Sequence, residues 1–136
     1  MESKTKNQIR DEVKRLKNDA NLKDVDIILY GSFVTEEIRP TSDIDIALIS
    51  YDKIKENNIE LQKYILGILP LKYDVRVFEL LPIYIQISII KNYEVLFGDP
   101  LEISEYFYYF RKKWDDCKER ILSNQFSSYK ERLSLL

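Results

Sequence analysis

GSFVTEEIRPTSDIDIAL, residues 31–48, decides how this chain is read. The stretch before it, DVDIILY at 24–30, is a β-type run that ends on Gly31-Ser32. The stretch that closes it, DIDIALIS at 43–50, alternates so that Ile44, Ile46 and Leu48 take one face and Asp43 and Asp45 the other. Two carboxylates at i and i+2 on one strand face repel each other. Burying them costs several kcal/mol unless a cation neutralises them. Hard oxygen donors in that arrangement suit Mg²⁺ or Mn²⁺, which complete their coordination with water and phosphate oxygens. Gly31 lets the backbone turn and come close to a phosphate. Ser32 adds a hydroxyl and an N–H ahead of a predicted helix start at 34–38, a setting that favours anions. An Asp-x-Asp alone is commonly a solvated strand end, and Gly-Ser after a strand is commonly a turn. Together, at this spacing, they are suited to holding a triphosphate and its metal against each other.

A two-metal site needs a third carboxylate, and the strand LKYDVRVFEL at 71–80 offers Asp74. There Tyr73, Val75 and Val77 point one way, and Asp74 and Arg76 the other. If this strand pairs beside 43–50, Asp74 joins Asp43 and Asp45 and is placed to deprotonate an attacking hydroxyl. Arg76 is placed to contact a phosphate or orient a carboxylate.

The rest of the chain fits an α/β (α+β) layered domain. Residues 4–19 read as a surface helix with Ile9, Val13 and Leu16 as its apolar stripe. Residues 53–69 read as a second helix on Ile54, Leu61, Ile65 and Ile68. Pro82 opens a third that runs to Lys91 and presents Ile83, Ile87 and Ile90. Tyr93–Phe97 reads as a short edge strand before the turn Gly98-Asp99-Pro100. From Leu101 to Ser123 one long helix is expected. Its Ile103, Phe107, Phe110, Trp114, Cys117 and Ile121 lie 4, 3, 4, 3 and 4 apart. The expected organisation is one domain over 1–123, with a core of about 5–100 and the helix 101–123. Residues 124–136 form a polar tail that continues the helix or frays.

Composition removes several chemistries. The 136 residues are 45% hydrophobic and 32% charged, an ordinary globular balance. There is no histidine, so Ser-His-Asp and Cys-His mechanisms are excluded. The single cysteine, Cys117, excludes an internal disulfide and reads as a small core residue. With 21 Lys plus Arg against 23 Asp plus Glu the net charge is −2, which disfavours a nucleic-acid binder. No run approaches the roughly 20 apolar residues of a membrane span, and the charged start is unlike an export signal, so the expectation is a cytoplasmic protein without membrane contact. Tyr106, Phe107, Tyr108, Tyr109 and Phe110 are consecutive, so one helix face cannot bury them all. Tyr108 and Tyr109 lie off the stripe, and part of 106–114 is expected to contact a partner protein or a second copy of the chain.

These residues resemble the minimal nucleotidyltransferase (MNT) family of the DNA polymerase β-type nucleotidyltransferase superfamily. The likeness rests on GSFVTEEIRPTSDIDIAL at 31–48, YDVRVF at 73–78 and PIYIQISIIKNYEVLFGDP at 82–100. The resemblance implies a polymerase β-like fold, a small mixed sheet flanked by helices with a long C-terminal helix. It implies Asp43, Asp45 and Asp74 as catalytic metal ligands and Gly31, Ser32, Arg39 and Arg76 as nucleotide-binding residues. It implies Mg²⁺ (or Mn²⁺) as cofactor and ATP as substrate. Small stand-alone members are often antitoxins of HEPN-domain toxins and transfer AMP to a toxin tyrosine. A HEPN toxin is therefore the expected partner, with a homodimer or hetero-oligomer through 101–123 as a further expectation. Many relatives carry Ala-Arg-Gly where this chain has Val34-Thr35-Glu36, and Arg39 supplies a cation in the same loop. Two alternatives stay open: an antitoxin that acts by binding only, and an enzyme modifying a small hydroxylated molecule.

Overall fold

The computed structural model describes residues 6–31, 44–66, 68–70 and 72–134, leaving out the side chains of 119 and 121–134. Among the described residues the α-helices and strands follow in the order α1 (Lys6–Lys17), β1 (Asp26–Tyr30), β2 (Ile44–Ile49), α2 (Lys55–Ile65), β3 (Tyr73–Val77), α3 (Ile83–Lys91), β4 (Tyr93–Phe97) and α4 (Pro100–Ser134). The sheet order is β3-β2-β1-β4. β1 is antiparallel to both its neighbours, and β2 and β3 run parallel, so α2 serves as the crossover that a parallel pair needs.

Side-chain alternation divides the core in two. Ile27, Leu29, Ile46, Leu48 and Val77 face α1 and α2, where Ile9, Val13, Leu16 and Ile65 close over them. Ile28, Ala47, Ile49 and Phe78 face the other way and meet Ile87 and Ile90 of α3 and Ile103 and Phe107 of α4. The sheet is thus sandwiched between helices, as expected, and the face of α3 that the sequence presents is covered. Phe107 is buried between Phe78 and Tyr93, with ring centroids 4.9 and 5.0 Å away. Truncating such a ring to alanine costs about 3–5 kcal/mol.

Several boundaries differ from the sequence expectation. The second helix starts at Lys55 because Asp52 makes an Asx turn, its carboxylate accepting from the Ile54 N–H at 2.8 Å and the Asn57 side chain at 3.0 Å. Ile54 therefore sits outside the helix and is exposed, and Ile68 packs on the core from beyond the helix end. The third strand stops at Val77 and turns into a 3-10 segment at Phe78–Leu80, closed by the Leu81 N–H on the Phe78 carbonyl at 3.1 Å. Pro82 precedes its helix as the cap, its carbonyl accepting from Ile85 and Gln86 at 3.0 Å each. Asp99 opens α4, its carboxylate accepting the Leu101 N–H at 2.9 Å. That helix then continues to Ser134, past the expected end at 123. Cys117 is half-buried where full burial was expected.

Glu79 ties α4 to the sheet. Its carboxylate accepts from the Ser50 N–H at 3.0 Å, the Ser50 hydroxyl at 3.1 Å, the Tyr51 N–H at 3.2 Å and the Tyr106 hydroxyl at 2.7 Å. The Tyr51 and Tyr106 rings lie 4.6 Å apart beside it. Burial, and then the Glu79 carboxylate, push the Tyr106 phenol well above its ordinary range.

Candidate active site

The register of the sheet assembles the site. Tyr30 is opposite Asp45 on β1 and β2, and Asp45 is opposite Asp74 on β2 and β3. The parallel pairing is extended below this row by the Ile44 N–H, which donates to the Lys72 carbonyl at 2.8 Å. Asp45 has the parity of Ala47 and Ile49, and Asp74 alternates with the inward Tyr73 and Val75. Both carboxylates therefore lie on the face that α3 and α4 cover, at the rim where β1 ends and β2 and β3 begin. Both residues are half-buried.

Gly31 folds directly over this row. Its φ is +77°, in the left-handed region. A Cβ built on it would stand 2.2 Å from Asp45 Oδ2 and 3.1 Å from its Cγ. The glycine is thus required both by its backbone angle and by the carboxylate against it. Arg76, exposed two residues along the same strand face, holds Asp74 with its Nε 3.2 Å from Oδ1. Tyr30 is half-buried in the row, and burial first, then the charges of Asp45 and Asp74, push its phenol up to about 12, with Arg76 acting in the opposite sense. It stays a neutral hydroxyl at physiological pH.

The expected site residues divide accordingly. Asp45, Asp74, Gly31 and Arg76 converge on one rim. Asp43, Ser32, Arg39 and the expected helix start at 34–38 lie outside the described residues. Among the described residues no group of three carboxylate, His or Cys ligands is gathered. The two that are, Asp45 and Asp74, offer the hard oxygen donors that suit Mg²⁺ or Mn²⁺.

Two supports escaped the sequence reading. β3 is an edge strand, and Gln62 of α2 occupies its free edge. The Gln62 amide donates to the Val75 carbonyl at 2.9 Å and accepts the Val77 N–H at 2.8 Å, satisfying backbone groups on either side of Arg76. Tyr73, next to Asp74, is buried and donates its hydroxyl to Glu12 of α1, which Lys72 also approaches at 3.5 Å. Alternation turns Tyr73 inward, but nothing local marks the bonds that either residue makes, because they span 13 or more residues of sequence.

Comparison with known proteins gives this geometry a context. The nucleotidyltransferase domain family matches residues 6–96. A protein of Methanocaldococcus jannaschii, named provisionally as a protein adenylyltransferase, is 50% identical over 109 residues, which is 80% of this chain and 84% of that protein. Among solved structures, a chain of a toxin–antitoxin crystallised with AMP-PNP superposes with a TM-score of 0.61 at 17% identity, covering 91% of this chain and 98% of its own. A chain from the complex of tri-AMPylated Shewanella oneidensis HEPN toxin with MNT antitoxin superposes with a TM-score of 0.56 at 17% identity, covering 89% of this chain and 99% of its own. The fold is shared with both. Among the described residues no helix is long and apolar enough to cross a membrane.

Proposed function

The chain belongs to the nucleotidyltransferase domain family, and on that premise we propose that it is the antitoxin of a HEPN-domain toxin and transfers AMP from ATP to a tyrosine hydroxyl of that toxin, with Mg²⁺ as cofactor. The observation that carries this reading is the register that sets Asp45 beside Asp74 with Gly31 folded on Asp45. The likeness to a provisionally named protein adenylyltransferase and to an antitoxin in complex with an AMPylated HEPN toxin supports the acceptor class.

In this reading Asp45 and Asp74, with Asp43, hold Mg²⁺ or Mn²⁺. When bound, the ion neutralises phosphate charge in an in-line displacement. Gly31 and Ser32 cradle the phosphates, and Arg39 and Arg76 supply cations to them. The tyrosyl oxygen attacks the α-phosphorus and forms the new P–O bond. The bond to the bridging α–β oxygen breaks, and pyrophosphate leaves with that oxygen. Asp74 takes the hydroxyl proton, and Arg76, 3.2 Å away, orients its carboxylate.

The test is incubation with the HEPN protein and ATP labelled at either the α- or the γ-phosphate. Transfer of the α-label alone, in Mg²⁺ and not in EDTA, is the expected outcome. Tight complex formation with no transfer of either label would replace this reading with that of a binding-only antitoxin, for which Val34-Thr35-Glu36 in place of Ala-Arg-Gly is the sequence argument.

A further inference from the structure

We propose that the outer face of α4 pairs two copies of this chain antiparallel, about a dyad at Tyr108–Tyr109. This inference is independent of the acceptor and of the chemistry proposed above. Leu101, Glu105, Tyr108 and Lys112 recur at four-, three- and four-residue intervals. At 100° per residue they form a seam on the side of the helix opposite the buried Ile103–Phe107 stripe. All four are exposed, as is Tyr109, and the fractional exposures of Leu101, Tyr108 and Tyr109 are 67%, 60% and 70%. The two tyrosine rings touch each other, with centroids 6.1 Å apart, and form a continuous aromatic surface.

The order of charge along the seam selects the occupant. Glu102 and Glu105 precede the tyrosines, and Lys112 and Lys113 follow them. Neither an acidic nor a basic partner surface matches such a seam along its whole length. A surface with the reversed order does, and a second copy run antiparallel presents it. Glu105 lies three residues before Tyr108, and Lys112 three after Tyr109. Setting Tyr108 against the partner subunit's Tyr109 therefore sets Glu105 against the partner subunit's Lys112, and the dyad makes that contact twice. Glu102 is level with the partner subunit's Asp115, which lies on the other flank of the seam, so the paired Glu105–Lys112 contacts carry the complementarity. Asp116 falls at the rim, level with the partner subunit's Leu101. A parallel pairing would instead oppose Glu105 to Glu105 and Lys112 to Lys112, which costs association free energy. A seam of this length buries less than a standard interface, so the dimer is a weak one, with a Kd in the micromolar range of about 1–100 µM.

Sedimentation velocity on the full chain across that concentration range tests the proposal. The wild type should pass from monomer to dimer. Glu105→Lys and Lys112→Glu should each raise the Kd at least about 10-fold, because one substitution creates two like-charge contacts across the dyad. The double variant Glu105→Lys/Lys112→Glu should restore the wild-type Kd, with circular dichroism showing unchanged helix content in all three. A wild type that stays monomeric throughout overturns the proposal. So does a dimer indifferent to the single reversals, or a double reversal that does not recover. A wild type that is monomeric alone, but whose binding to the HEPN protein is lost in Tyr108→Ala/Tyr109→Ala, would assign the face to that protein and overturn the second copy.

Discussion

Replacing Gly31 separates the two demands that the structure makes at that position. At φ +77° an alanine costs about 1–2 kcal/mol of backbone strain. For a chain of this length that lowers Tm by about 3–10 °C. Its Cβ would also fall 2.2 Å from Asp45 Oδ2, inside any allowed contact, so the carboxylate has to swing out of the row it shares with Asp74. That displacement leaves the strands in place, because the clashing atoms are the end of a side chain. Transfer should fall by about 10²-fold or more, the usual cost of losing one electrostatic contact to the reacting group. Asparagine at the same position tolerates the left-handed region and carries the same Cβ. Gly31→Asn should therefore recover most of the lost Tm and none of the lost transfer. Differential scanning calorimetry beside α-labelled ATP transfer reads both quantities on one preparation. Wild-type transfer by Gly31→Asn would refute the reasoning, since it would mean that the position of Asp45 under the glycine is immaterial.

Three other outcomes follow from the same geometry. Asp74→Asn should lower transfer at least about 10²-fold with the melting transition and HEPN binding retained, because it removes a charge from the rim and no core contact; an isothermal titration against the HEPN protein checks the binding. Gln62→Leu keeps the side chain's bulk but strips two backbone partners from the β3 edge, and it should cost about 1–3 kcal/mol in urea unfolding and slow transfer as well. The phenols of Tyr30, Tyr51, Tyr73 and Tyr106 are all raised, chiefly by burial, with Tyr30 at about 12 against an ordinary 10. The unfolded chain then loses those protons first, so this stability is fully present below about pH 10 and is lost as pH rises through the folded values. Tm measured against pH should be level with respect to these groups up to that point and then drop, together with the appearance of phenolate absorbance.

How much of this was legible in the sequence depends on whether the signal is local. Asp45 and Asp74 could be placed on one face because strand parity is a period of two, and the register that sets them side by side needed only that their strands be neighbours. Ile83–Lys91 and Tyr93–Phe97 were readable because Pro82 and Gly98 punctuate them. The end of β3 was not readable. Phe78, Glu79 and Leu80 have strand-like composition, yet Glu79 is drawn aside by the Ser50 and Tyr51 N–H groups, donors 28 and 29 residues away. Gln62 was invisible for the same reason, since an amide that completes a distant strand edge leaves no periodic mark. The Asp52 turn was visible in principle as a cap ahead of Lys55, but the apolar Ile54 drew the predicted helix outward. The aromatic run on α4 shows both sides of the matter: helical periodicity separated buried Phe107 from exposed Tyr108 and Tyr109, while the bond from Tyr106 to Glu79 needed the fold.

The rim formed by Asp45 and Asp74 is proposed to adenylylate a partner protein. Intact-mass spectrometry of the HEPN protein after incubation with this chain, ATP and Mg²⁺ tests it most directly, with fragmentation to locate the modified residue. A mass increase of whole adenylyl groups on tyrosine is expected with the wild-type chain, and none with Asp45→Asn. An unmodified HEPN protein in the presence of folded, HEPN-bound wild-type chain would contradict it, as would equal modification by Asp45→Asn.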